Sequence, residues 1–322
     1  MKKKLLWIIT PVLILLALIG TGVGISISKK PNPNTQNRTD EENKKINLSD
    51  LTKKFLGTIE EQNLNKENIL NKLKELNAEI KDRDLSGLSV EISEFSAVIK
   101  STTKDLKFSG EVEVKFIPVD GNGSNNLRAA VYNEDKSICE KIGYSIDEQG
   151  IWRVESFDTN TGKVPEELPL FVTYLISAFE HNFNTIIKGL DKWDTSNVTN
   201  MQFMFKDAKK FNQDISHFNT SNVTDMSYMF YQAESFNQPL NNWNTSNVTD
   251  MSWMFYNTSN FNQPLNNWNT SNVTKINSMF NEARSFNQNI SNWDVSRCER
   301  FEDFIGRAPK MTEDLIPEKF RK

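Results

Sequence analysis

A period of 25 residues between Trp193 and Trp293 constrains this chain more than any other feature. An aromatic residue returns in register at Trp193, Phe218, Trp243, Trp268 and Trp293. Behind the first four stands one phrase, Asn197-Val198-Thr199-Asn200-Met201 followed by Met204-Phe205, with copies starting at Asn222, Asn247 and Asn272. The triplet Phe211-Asn212-Gln213 closes the first unit and recurs from Phe236, Phe261 and Phe286. A fixed period of this length marks an array of repeats. One unit has too few large apolar side chains to offset the entropy of ordering itself. Its turns must therefore cover one another.

Within a unit the apolar residues fall at Val198, Met201, Met204, Phe205 and Ala208. That spacing predicts an amphipathic helix about ten residues long. Ser196 and Asn197 stand where they could cap its first amides. Leu240 to Trp243 and Ile290 to Trp293 read as brief strands pairing with the same segment one turn away. The expected fold is therefore an α/β solenoid with one short strand and one short helix per turn. Recurrent Asn and Gln positions suit ladders that satisfy backbone groups between turns.

The phrase running from Trp-Asp/Asn-Thr-Ser-Asn-Val-Thr through Met-Phe to Ser-Phe-Asn-Gln resembles the tandem repeat of BspA-like leucine-rich-repeat surface proteins. More narrowly, it is similar to the surface-protein families of wall-less bacteria that share this unit. The resemblance covers roughly residues 164–308. It implies a right-handed leucine-rich-repeat-like solenoid displayed on a cell surface, with no catalytic residues.

The rest of the chain is read around this array. Lys2-Lys3-Lys4 precede an apolar run from Leu5 to about Ile27, long enough to span a bilayer. Residues 1–30 are expected to be a transmembrane helix, or alternatively a cleaved secretory signal with cleavage near Gly20 to Gly24. The lysines favour an internal N-terminus and an extracellular bulk. Residues 31–46, rich in Pro and Asn, read as a disordered linker.

Residues 47–158 read as a small α+β domain. Ser49 could cap a helix through Leu51, Phe55 and Ile59, and Asn65 a second through Ile69, Leu70, Leu73 and Leu76. Alternation predicts strands at Val90–Ile92 and Val112–Phe116, with further short strands over 127–132, 138–146 and 151–157. Asp120-Gly121 and Glu148-Gln149-Gly150 mark turns. Residues 159–192 read as an entry cap, starting with a strand at Leu168–Val172 and placing Ile176 and Phe179 one period before Met201 and Met204. Cys298, Phe301, Phe304, Ile305 and Ala308 continue the register as an exit cap. Pro309 ends that cap's helix, and 309–322 form a tail.

Little in the chain points to catalysis. His181 and His217 have no partner at metal-ligand spacing, and neither a nucleophile elbow nor a phosphate loop is present. Cys139 and Cys298 read as separate thiols, Cys298 in the core column of Val198. Asp225 and Asp250 share their slot with Asn200 and Lys275, which weakens a calcium ladder. The sequons at Asn197, Asn222, Asn247 and Asn272 follow from repeat symmetry. A net charge of −4 offers no basic field for nucleic acid. The expectation is a non-enzymatic, membrane-anchored surface protein without cofactor or metal. Its partner would be a host-cell or matrix protein or a glycan; the alternative is a structural or antigenic coat without a ligand. Units differ mainly at the pairs Gln202-Phe203, Ser227-Tyr228, Ser252-Trp253 and Asn277-Ser278. Slots freer of packing demands should face outward, which nominates Phe203, Tyr228 and Trp253 as a ligand-binding row.

Overall fold

Asn65 begins the only α-helix among the described residues, and its side chain explains where. Its Oδ1 accepts from the Asn68 amide at 3.0 Å, capping helix α1 (Lys66–Leu76). The buried face of α1 is Ile69, Leu70 and Leu73. The computed structural model describes residues 45–102, 107–121 and 126–321. By contacts the chain divides into two units: the described part of Met1–Gly57 with Leu64–Ile117, and Thr58–Asn63 with Pro118–Lys322. The expected membrane segment at 1–30 lies outside the described residues. Among the described residues no helix is long and apolar enough to cross a membrane.

The helix expected behind Ser49 does not form. Asn47 instead caps a single 3-10 turn at Leu48–Asp50, and Phe55–Glu60 is strand β2, after the two-residue strand β1 (Ile46–Asn47). Strands β3 (Ser89–Ile92), β4 (Ser96–Lys100), β5 (Phe108–Ser109) and β6 (Glu111–Val119) follow. One sheet has the order β2-β6-β4-β3, with β4 antiparallel to both neighbours. The alternation at Val112 and Val114 is that of β6, whose even positions are buried.

The second unit opens with small strands, β7 (Asn126–Arg128), β8 (Val131–Tyr132), β9 (Cys139–Lys141), β10 (Tyr144–Ile146) and β11 (Trp152–Val154). Each expected strand over 127–132 and 138–146 thus breaks in two. Arg128 is buried there, with Nε donating to the Ile142 carbonyl at 2.9 Å and its guanidinium 4.8 Å from the Tyr144 ring centroid. Glu61 Oε1 stands 3.5 Å from its Nη1.

From residue 155 to 321 the chain has no α-helix and no strand, only turns, three 3-10 turns and isolated parallel bridges. The expected strand-plus-helix solenoid is overturned by this finding. The segments Leu240 to Trp243 and Ile290 to Trp293 are turns, each closed by the tryptophan amide on the carbonyl three residues back. Val172 closes the same kind of turn on Pro169, where a strand was expected. The helical stripe fails for a backbone reason. Phe203 and Asp207 have φ of 58° and 57°, and the same left-handed pair recurs in the next three units. A left-handed residue every fourth position ends any helix.

Hydrogen bonding shows what replaces it. The amides of Met201, Phe203, Phe205 and Asp207 donate to carbonyls of the following unit, at Asp225, Ser227, Met229 and Tyr231. The amides between them close turns inside their own unit, as Met204 on Met201 and Lys206 on Phe203. Every amide is used, which is what burial demands. Parallel bridges link Asn200, Asp225, Asp250, Lys275 and Arg300 in sequence. Residue 194 and its counterparts cap the turn that follows them, as where Asp194 Oδ1 accepts from the Ser196 amide at 2.9 Å ahead of the turn closed by Val198 on Thr195. Ser196 and Asn197, expected in that role, are not its acceptors.

The core is one continuous column from Cys139 to Ile316. Phe205, Phe230, Phe255 and Phe280 stack at 5.5–5.8 Å, and a second column runs through Phe211, Phe236, Phe261 and Phe286. Asn212, Asn237 and Asn262 form a ladder, each Oδ1 accepting the next unit's asparagine amide at 2.9–3.0 Å. The indoles of Trp243, Trp268 and Trp293 donate to carbonyls of the preceding unit. The entry turn is one residue out of the expected register. Tyr174 bridges Asn200, so Leu175, not Ile176, takes the Met201 position and Phe179 that of Phe205. At the other end the tail packs. Ile316 is buried, Phe320 stacks on Phe301 at 4.9 Å, and Lys319 donates to the Cys298 carbonyl at 2.6 Å.

Candidate functional site

The left-handed slots decide where the nominated rings go. Phe203, Tyr228 and Trp253 have φ of 58°, 58° and 61°, and Ser177 and Ser278 hold the same slot in the turns on either side. Each ring residue donates its amide to the next unit, and its side chain lies half-buried at the flank of the stack. The expected outward row is thus partly covered, and the serines beside it, Ser227 and Ser252, are buried. Ser227 and Ser252 are spent on the stack itself, Ser227 Oγ donating to Asp225 at 2.6 Å and Ser252 Oγ to Asn277 at 2.9 Å.

The structure brings the three rings together. Phe203 and Tyr228 lie 4.8 Å apart between centroids with planes tilted by 36°, and Tyr228 and Trp253 lie 5.8 Å apart and nearly parallel. Two further rings, overlooked by an argument from variable slots, complete the face. Tyr231 and Tyr256 stack at 4.8 Å and meet Tyr228 and Trp253 at 5.7 and 5.0 Å. Their signal was present in the sequence: both fall three residues after a nominated ring, a slot held by Lys206 and Asn281 in other units. Burial raises the hydroxyl pKa of both Tyr228 and Tyr256 above the ordinary tyrosine value.

Charged groups bound this face. Lys206 Nζ lies 5.6 Å from the Phe203 centroid and 2.7 Å from Glu180. The Tyr256 hydroxyl approaches Glu282 at 3.4 Å, and Glu282 pairs with Arg307 at 3.2 Å. Lys275 pairs with Asp250 at 3.0 Å. Asp225 is held above the ordinary carboxylate range by burial, with Asp250 adding to the effect.

Other candidate chemistry lies elsewhere. His181 and His217 are exposed, His181 near Glu180 and Asp207 and His217 edge-on to Phe218. Cys139 and Cys298 are buried thiols, and burial pushes the Cys298 thiol up to about 11. Asn197, Asn222, Asn247 and Asn272 each donate Nδ2 to a carbonyl of the preceding unit, which gives these sequon residues a stacking role. No cluster of His, Cys, Asp or Glu among the described residues could hold a metal ion. A polar cleft of about 840 Å³ lies among Asn247, Thr249, Asn272, Thr274, Arg297 and Lys319.

The array matches one known family. Residues 173–273 and 240–320 match the family model described as Mycoplasma protein of unknown function, DUF285. The two stretches overlap and together run from Thr173 into the packed tail. No curated protein and no solved structure matches the chain.

Proposed function

We propose that the stacked turns are a non-enzymatic binding module displayed at the cell surface, with Phe203, Tyr228 and Trp253 at the centre of its contact face. One observation carries this reading. The backbone slot of the row is left-handed, and Ser177 and Ser278 satisfy it as well as any ring. A non-glycine residue there costs about 1–2 kcal/mol, and the bulk of a ring does nothing to relieve it. Strained positions that carry large, half-buried side chains are expected where the side chain itself has a use. Aromatic residues supply contact area at low entropic cost, and they are enriched where proteins bind partners.

The setting supports the same reading. The repeat phrase resembles that of BspA-like surface proteins, and the apolar run from Leu5 to Ile27 would hold or export the chain at the membrane. The partner is a host-cell or matrix protein or a glycan. The test uses the full chain displayed on cells. Protease added outside should remove the array, and bulk protection until lysis would refute surface display. Changing Phe203, Tyr228 and Trp253 together to Ser should abolish attachment to host cells while protease resistance of the array persists. Attachment unaltered by the triple change would exclude this face.

A further inference from the structure

Each turn of the array leaves its core by a short loop, and one loop breaks the rule of the others. After Ala208 come Lys209-Lys210, after Ala233 Glu234-Ser235, after Thr258 Ser259-Asn260 and after Ala283 Arg284-Ser285. The entry turn holds Asn182 in that position, buried and closed on the Phe179 carbonyl as Ala208 is on Phe205. Phe183 follows it, and the stretch from Asn182 to Leu190 is one residue longer than that from Ala208 to Ile215. The longer loop also carries Ile186. Phe183 is 62% exposed and Ile186 57%. The Phe183 amide donates to the Thr159 carbonyl at 2.9 Å, and the Thr185 carbonyl accepts from the Asn212 amide at 3.0 Å. Asn182 Oδ1 accepts from the Asn184 amide, and Asn184 Nδ2 donates to the Asn160 carbonyl at 3.1 Å. Turns on both sides thus hold the loop by its backbone while its two large apolar side chains stay in water. Single exposed apolar residues are ordinary. Two together, where the repeat units place polar residues, mark a contact surface.

The surroundings fit a lipid surface. Parallel bridges join Ile138, Lys163 and Lys188 into one row, and all three are exposed. Ile186 and Lys188 stand on either side of the buried Ile187, and both face outward. Neither Lys163 nor Lys188 forms an ion pair among the described residues. Lys136 pairs with Asp158 at 3.2 Å and is the more exposed of the two, and Asp135 accepts from Ser137 and Asn133. Glu140 follows Ile138 on the same strand, so the sign of this surface is mixed and apolar contact comes before charge. Lysines beside apolar side chains reach lipid phosphates, which every phospholipid carries. The rest of the chain says what lies opposite. The apolar run from Leu5 to about Ile27 is long enough to span a bilayer, and residues 28–44 extend at most about 60 Å. The array is therefore held beside a lipid surface at high effective concentration. A stable protein partner covers about 1,200–2,000 Å², far more than two side chains supply. A bilayer that already holds the chain needs only those two.

We propose that the entry turn is a membrane-contact loop: Phe183 and Ile186 enter the interfacial layer of the phospholipid bilayer that holds the chain, with Lys163 and Lys188 at its phosphates. This contact rests on the membrane display proposed above and adds a second point of attachment to it. The test uses the full chain reconstituted into phosphatidylcholine vesicles. Phe183→Cys and Ile186→Cys are made singly, so that one apolar side chain remains. Arg284→Cys, at the equivalent of Phe183 in the fourth repeat, is the comparison. Cys139 and Cys298 are buried, so a nitroxide label goes to the new cysteine. Collision of the label with oxygen, which concentrates in lipid, and with a nickel chelate, which stays in water, reads its surroundings. Labels in place of Phe183 and Ile186 should favour oxygen over the chelate about tenfold more than the label in place of Arg284. Equal ratios at all three positions, in chains that float with the vesicles, overturn the loop contact and leave membrane display standing. Labels shielded from both reagents place protein against the loop and overturn lipid as its partner. Chains that do not float with the vesicles overturn display and contact together.

Discussion

Gln232 offers a test of the backbone on which every other assignment depends. In a helical repeat this residue would be interior to a helix, where alanine is better than glycine by about 1 kcal/mol. In the structure it has φ of 55°, and its amide donates to the Tyr256 carbonyl of the next unit at 2.8 Å. A Cβ in that conformation costs about 1–2 kcal/mol, which glycine escapes. Glycine in turn gives up about 0.5–1 kcal/mol because its unfolded chain is freer. The difference leaves the Gln232→Gly protein more stable than Gln232→Ala by about 0.5–1 kcal/mol. Neither variant disturbs the inter-unit hydrogen bond, which belongs to the backbone. Urea unfolding followed by tryptophan fluorescence would read the order, since Trp243, Trp253 and Trp268 lie in the neighbouring turns. If Gln232→Ala is equal to or more stable than Gln232→Gly, the left-handed turn is wrong and a helix is restored.

Other expectations follow from single positions. Phe230 is fully buried and lies 4.1 Å from Phe236 and 5.5 Å from Phe255, so Phe230→Ala should lose about 3–5 kcal/mol in the same urea assay; a loss under about 1 kcal/mol would remove it from the core. Asp225 has its pKa raised from 3.8 by burial, so the folded state holds a proton that the unfolded chain releases. Its contribution is therefore full below 3.8 and declines as pH rises through the higher folded value. Asp225→Asn keeps the acceptor that serves the Ser227 amide, as Asn200 serves Gln202, and its stability relative to wild type should improve with rising pH through that range. A difference that is flat with pH would count against this. The Cys298 thiol, raised to about 11, should resist iodoacetamide at pH 8 until urea unfolds the array, and rapid labelling of the folded chain would contradict its burial. Deleting residues 309–322 should strip Ile316 and Phe320 from the last turn and cause aggregation; a soluble truncation of unaltered melting temperature would deny the tail a packing role.

What the sequence determined by itself is the period and the inventory of each turn. Val198, Met201, Met204, Phe205 and Ala208 are buried, and so are their counterparts in the next three units, because like neighbours above and below demand like side chains. The asparagine ladder was legible for the same reason. So were the rings at Phe203, Tyr228 and Trp253 as a row, since equal register places equal slots side by side. Spacing could not decide the backbone that carries these residues. Steps of three, three, one and three bring the same residues to one side in a helix and in this series of alternating turns. The choice lies in hydrogen bonds from Phe203 to Ser227 and from Asp207 to Tyr231, which exist only once a second unit is stacked on the first. Tertiary structure also set the one-residue shift at Leu175, the docking of Lys319 and Phe320, and the face-to-face arrangement of Tyr228 and Trp253. Each of these depends on the separation between units, a distance fixed by inter-unit hydrogen bonds and invisible in the order of residues along one of them.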